Sequence, residues 1–171
     1  MTPMNTSRFH LAIPVGDLTT ALDFYCNVLG CERGNSEFNY PDAWVDINFW
    51  GNELTLHSSE KFEKPKSDRH NVDMGNVTVP HFGVHLDADQ FKNLKDRLEK
   101  NKVEYIDKPY IRFEGTELEQ ETMFIADPYG NAMEIKTKRI IPCFYGRNPV
   151  RLQIVLLIYQ AFASSKMDST I

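Results

Sequence analysis

A pattern that occurs twice constrains this chain more than any other feature. Phe9-His10-Leu11-Ala12-Ile13 stands near the start, and Pro80-His81-Phe82-Gly83-Val84 stands near the middle. Each is followed by an aspartate, Asp17 or Asp87, and then by apolar residues at helical spacing: Leu18, Leu22, Tyr25 and Leu29 in the first copy, Phe91, Leu94 and Leu98 in the second. A carboxylate just ahead of such a stripe accepts hydrogen bonds from the unpaired N–H groups of the first helical turn. Each copy therefore reads as a strand followed by a capped helix.

The rest of each copy follows the same order. After the first helix come a weak strand over residues 31–38, a clear one over 44–50, a Gly51-Asn52 turn, and another strand over 53–58. The second copy offers strands over 103–113 and 121–126, a turn at Asp127-Pro128-Tyr129-Gly130, and a last strand over 132–137. Alternating apolar residues between Gly, Pro, Asn and Asp clusters carry this reading. The expected fold is α+β, with two βαβββ modules forming a curved mixed sheet around a metal cleft and helices on the outside. Module 1 spans about 7–60 and module 2 about 80–138. Residues 61–79, rich in charge, Pro, Asn and Gly, are expected to be an exposed linker. These parts make a single domain over 1–138, and 139–171 form a C-terminal extension with a separate helix over 150–162.

Composition narrows the function. At 171 residues and 42% hydrophobic content, one well-buried core is expected. The net charge of -5 is spread without long single-sign blocks, which argues against a nucleic-acid partner. Cys26, Cys31 and Cys143 fit neither a disulfide framework nor a C-x-x-C site, as expected of a protein in a reducing compartment. Residues 1–9 lack the apolar core of a signal peptide, and the apolar run over 154–159 is far shorter than the ~20 residues that span a bilayer. A cytoplasmic protein with no membrane partner is expected.

Strand side chains alternate between faces, so the apolar set Leu11, Ile13, Val45, Ile47, Phe49, Leu54, Leu56, Phe82, Val84, Leu86, Met123, Ile125, Met133 and Ile135 is expected to pack under the helices. The opposite set is His10, Trp44, Asp46, Asn48, Trp50, Glu53, Thr55, His57, His81, His85, Phe124 and Glu134. Four histidines and two tryptophans are an odd composition for a bare solvated face, and they suit the lining of a pocket for a small molecule. A pseudo-twofold between modules would place His10 and His81 equivalently, with Glu134 within reach on the final strand. Two imidazoles and a carboxylate leave coordination positions open and suit one divalent metal, Fe, Mn, Zn, Ni or Co. His57 and His85 are read as hydrogen-bonded cavity residues, with an acid or base role as the alternative. Trp44, Trp50 and Phe124 line the pocket or simply pack. Arg112 is a potential anchor for an anionic group, although a strand arginine more often sits in an ion pair.

These segments resemble the vicinal oxygen chelate superfamily of glyoxalases, bleomycin-resistance proteins and extradiol dioxygenases, over about residues 8–136. The resemblance is carried by residues 9–18, by Ala21-Leu22-Asp23-Phe24-Tyr25 with Val28-Leu29-Gly30, by residues 80–84, and by Asp127-Pro128-Tyr129-Gly130-Asn131-Ala132-Met133-Glu134. It implies metal ligation by His10, His81 and Glu134. Four residues past Gly51, as Glu134 lies past Gly130, stands Thr55, a poor ligand. Glu53 or His57, on the same face, could supply a fourth by a register shift, and Glu53-Leu54-Thr55 resembles the glyoxalase I segment that does so. Where ring-cleaving relatives carry Tyr, this chain has Phe124. The expected activity is that of a metal-dependent lyase or isomerase that chelates vicinal oxygens of a small substrate, with Glu134, His57 or Glu53 as base. An Fe(II) dioxygenase and a non-catalytic binder of antibiotics or metabolites are the alternatives. A cleft built within one chain and one built across a homodimer both remain open.

Overall fold

The computed structural model describes residues 7–39, 43–72 and 75–138. In the first module, strand β1 (His10–Val15) leads into helix α1 (Leu18–Leu22), which continues as a π-helical stretch over Asp23–Val28. Strands β2 (Glu32–Glu37), β3 (Trp44–Phe49) and β4 (Asn52–Ser58) follow. The second module runs β7 (Phe82–Leu86), α2 (Ala88–Lys100), β8 (Tyr105–Arg112), β9 (Gln120–Ala126) and β10 (Ala132–Lys138). Their strand orders, β1-β4-β3-β2 and β7-β10-β9-β8, are the same. In each, the first strand lies parallel to the last and the other pairs are antiparallel. The two βαβββ modules are thus topological copies, and each keeps its own four-stranded mixed sheet.

Local chemistry accounts for the elements. Asp17 and Asp87 cap the two helices by accepting from the N–H groups of Thr20 and Gln90, both at 2.8 Å. At Asp87 the Gln90 side chain also accepts from the cap's own N–H at 3.2 Å, completing a reciprocal capping box. The β3–β4 turn is centred on Trp50 and Gly51, one residue earlier than expected, because Phe49 pairs with Asn52. Both central residues have positive φ, 48° and 90°, which a two-residue hairpin turn of this hand requires. The Trp50 ring packs edge-on against Phe49 at 4.8 Å.

Residues 61–79 hold more structure than a bare linker. Strands β5 (Asp68–Val72) and β6 (Gly75–Val79) form a hairpin, and Arg69 grips Asp107 of β8 through two hydrogen bonds of 2.9 and 2.7 Å. No apolar alternation announces it, since its register is fixed by this bidentate ion pair and by a 2.7 Å bond from Arg69 to Thr78. The helix expected over 150–162 lies outside the described residues. Among those described, no helix is long and apolar enough to cross a membrane.

The expected apolar faces pack into one core. Val45, Ile47, Leu54 and Leu56 of the first sheet join Met123, Ile125, Met133 and Ile135 of the second and Phe24, Tyr25, Phe91, Leu94 and Leu98 of the helical segments. Polar ties cross between modules at its edges. Arg97 of α2 donates to the carbonyls of Val28 and Asn27 at 2.9 and 2.7 Å, and Asn131 donates to that of Pro14 at 3.1 Å. The buried Tyr25 hydroxyl donates to Asp127 at 3.1 Å; burial, then the Asp127 charge, pushes its pKa well above the ordinary value.

Candidate metal centre

The polar faces expected from the sequence exist, and they differ between modules. On the first, Cα pairing sets His10 beside Glu53, Glu53 beside Asn48, and His57 beside Trp44. The His10 Nδ1 lies 2.7 Å from Glu53 Oε1. A carboxylate can only accept there, so Nδ1 carries the proton and, in the neutral ring, Nε2 keeps its lone pair. Both side chains are more than half exposed, 58% and 54%. The neighbouring Thr55 donates to Asp46 at 2.7 Å, and Asn48 to Glu32 at 3.4 Å.

On the second module, His81 stands just ahead of β7 and its Nδ1 lies 2.6 Å from the Thr78 carbonyl oxygen. The carbonyl also only accepts, which again leaves Nε2 with the lone pair in the neutral ring. That nitrogen lies 3.2 Å from Glu134 Oε2. Glu134 is 5% exposed. Its Oε1 accepts from the Thr122 hydroxyl at 3.0 Å and has the Arg112 guanidinium at 3.8 Å, while the Lys136 ammonium sits 2.8 Å from Oε2. The Phe124 ring meets His81 edge-on at 5.2 Å.

A neutral imidazole nitrogen facing a carboxylate oxygen needs a positive charge between or beside them, which a proton on the ring, the Lys136 ammonium or a bound cation supplies. Two ligands about 2.1 Å from an ion stand about 3.0 Å apart at right angles and about 3.4 Å apart at the tetrahedral angle. The 3.2 Å between His81 Nε2 and Glu134 Oε2 falls in that interval. The carbonyl behind Nδ1 and the hydroxyl behind Oε1 are the outer partners that fix metal-binding imidazoles and carboxylates in orientation. His81 and Glu134 thus stand at a separation that suits two ligands of a divalent ion.

The three expected ligands do not meet in one chain. His81 and Glu134 come together, while His10 is held against Glu53, and among the described residues no group of three metal-capable side chains gathers. Register explains part of this. Ala12, two residues past His10, pairs with Thr55, and Gly83, two residues past His81, pairs with Glu134. Thr55 therefore occupies in module 1 the place of Glu134 in module 2, as counting from the turn glycines implies.

Of the remaining candidates, Trp44 flanks His57 on the exposed first face, Trp50 sits in the β3–β4 turn, and His85 pairs with Lys136. Phe124 is fully buried against His81. A groove of about 380 Å³ is lined by Phe9, Leu11 and Glu53 of module 1 and by His81, Phe82 and Val84 of module 2. Sequence reasoning missed Thr122, Lys136 and Tyr110. Cα pairing aligns Tyr110, Thr122, Lys136 and His85 in one row across β8, β9, β10 and β7, one step along from Glu134. The alternation Glu134-Ile135-Lys136 was the available signal for the lysine. Burial raises the Tyr110 hydroxyl pKa; the Arg112 charge lowers it in part, and Glu134 raises it again.

The family model described as Glyoxalase/Bleomycin resistance protein/Dioxygenase superfamily matches residues 8–135. The chain belongs to this superfamily. A solved glyoxalase/bleomycin resistance protein/dioxygenase from Alicyclobacillus acidocaldarius is 32% identical, with 85% of this chain and 100% of that one covered and a TM-score of 0.61. A glyoxalase/dioxygenase from Nostoc punctiforme, 18% identical over 81% of this chain and 96% of its own, has a TM-score of 0.57. The fosfomycin resistance protein FosX from Listeria monocytogenes, 14% identical over 80% of this chain and 97% of its own, has a TM-score of 0.56. The last two speak for the fold alone. No curated protein matches the chain.

Proposed function

We propose that this chain is a divalent-metal-dependent enzyme of the superfamily, a lyase or isomerase acting on a small molecule with oxygens on adjacent carbons. We propose further that a second copy of the chain completes the centre. The observation that carries the reading is the His81–Glu134 pair, whose separation suits a shared ion and whose outer atoms are already held. His10 is the third ligand, presented through Nε2, and Glu53 orients its ring from the far side. Because His10 and Glu53 stand exposed on module 1, the face of one copy can cover the half-centre on module 2 of the other. Charge favours this docking: Glu32, Asp46 and Glu53 on the first face oppose Arg112 and Lys136 on the second.

A divalent ion held there would act as a Lewis acid on the paired oxygens. The chain's own groups do the remainder. Thr122 fixes the carboxylate plane, the Phe124 ring shields one side of His81 from water, and Glu53, beside His10, is the base closest to hand on the covering face, with His57 four residues further along the strand. An Fe(II) dioxygenase is the second reading, favoured by Tyr110, which pairs with Thr122 and offers the phenol that Phe124 lacks. Oxygen uptake with catechols on Fe(II)-loaded protein separates the two.

Elemental mass spectrometry tests the centre. Wild type is expected to hold one ion per chain, and His10→Ala and His81→Ala each to lose it. When the two variants are unfolded and refolded together, random pairing restores one intact centre in each mixed dimer, about a quarter of the wild-type metal. No recovery in a mixture that does form dimers would place the centre within one chain. No metal in the wild type after reconstitution would leave a ligand-binding protein.

A further inference from the structure

Lys136 is the group that the proposed metal centre leaves without a role. Its ammonium sits 2.8 Å from Glu134 Oε2, the same oxygen that faces His81 Nε2 at 3.2 Å. An ion taking that oxygen as a ligand sets a second positive charge beside the ammonium, and their repulsion frees the lysine for another anion. The ammonium does not reach open water freely. Lys136 is 22% exposed, in a cavity of about 210 Å³ lined also by His81, His85 and Glu134. On one side of it the sheet carries His85, and on the other Thr122 and Tyr110. All three carry hydrogen-bonding groups, and none carries a permanent negative charge. Arg112 adds a second cation, 3.8 Å from Glu134.

We propose that Lys136 is a specificity-determining residue that receives an anionic oxygen of the substrate beside the metal, so the natural substrate carries a carboxylate or a phosphonate next to its chelating oxygens. This rests on the metal reading above. In the metal-free state Glu134 holds the ammonium in place; in the loaded state the substrate anion takes over that contact. A neutralised partner of this kind is what a half-buried cation needs, because leaving it unpaired costs more than its pair contributes. His85, across the ladder from Lys136, lies within the same row to hold a second oxygen.

The test compares small probes that share vicinal oxygens and differ in charge. Glycolate, hydroxymethylphosphonate and neutral hydroxyacetone are titrated by calorimetry into metal-loaded wild type, Lys136→Met and Lys136→Arg, with metal content measured on each sample. In wild type at least one anion is expected to bind well over tenfold more tightly than hydroxyacetone. Lys136→Met should keep its metal while that preference shrinks about tenfold, the worth of one charge-assisted hydrogen bond; Lys136→Arg should retain most of it. Whichever of glycolate and the phosphonate loses more identifies the anion. An unchanged preference in a metal-loaded Lys136→Met protein overturns the proposal. Metal-free wild type would instead sink the centre itself, and metal analysis tells the two failures apart.

Discussion

Thr55 and Glu134 stand at the same place in two copies of one sheet, and the contrast between them organises the molecule. The first module's face is acidic and open, with Glu53 and His10 both more than half exposed. The second is basic around one buried carboxylate, with Glu134 enclosed by Thr122, Lys136, Arg112 and His81. Strand order and register agree between them. A duplicated fold thus tolerates divergence on the face turned away from its apolar core, because those side chains stand outside the common hydrophobic cluster. The two modules divide the polar residues differently: module 2 encloses a carboxylate against His81, and module 1 presents an exposed histidine paired with an exposed carboxylate.

Substitutions in equivalent positions test this contrast. The largest effect is expected at Gly83, where a Cβ would run into the carbonyl oxygen of Glu134 on the paired strand. Gly83→Ala should cost about 3 kcal/mol in urea unfolding and separate His81 from Glu134, because backbone cannot yield as a side-chain tip does. The equivalent Ala12 already carries a Cβ, and Ala12→Gly should cost only about 0.5–1 kcal/mol of added backbone entropy. Equal costs at the two positions would mean that Gly83 accepts a Cβ against Glu134 as readily as Ala12 carries one against Thr55, and the clash would fall away.

Next comes Thr122→Val, which keeps shape and removes the hydroxyl bonded to Glu134 Oε1. A loss of about 1.5 kcal/mol in stability is expected, with weaker metal retention in competition with a chelator. Removing the corresponding hydroxyl–carboxylate bond from Thr55 to the more accessible Asp46 should cost less.

Smaller effects belong to the helix caps. Asp17→Ala and Asp87→Ala should each lower stability by about 1 kcal/mol, the second somewhat more because its capping box is reciprocal. Hydrogen bonds from Thr20 hold the Asp17 carboxyl below its ordinary value of 3.8. Its contribution is therefore present above that pH and fades as pH falls through the depressed value. The stability gap between wild type and Asp17→Ala should close correspondingly in acid, as read by thermal melts.

Much of this was legible in the chain as written. The repeated His motif, the capping aspartates and the alternation in 44–49 and 121–126 gave both modules, because each depends on contacts between residues near in sequence. The Thr55–Glu134 equivalence could be counted from Gly51 and Gly130, since strand period and turn length are local properties. The 61–79 hairpin escaped because its hold is Arg69 on Asp107, 38 residues away, with no apolar pattern to mark it. Lys136 escaped for a related reason: a lysine two residues from a carboxylate on a strand is ordinary until burial makes its charge matter.

The fold, the family and the residue types on the polar face could be read from the chain, because hydrophobic periodicity and turn chemistry are written along it. Which of those residues meet depends on the folded arrangement. It joined His81 to Glu134 and His10 to Glu53, aimed Nε2 of His81 at a carboxylate oxygen, and set Lys136 on that same oxygen. Distances of 2.7–3.2 Å between side chains many residues apart depend on how strands pair and on what is buried around them, and no local pattern encodes that.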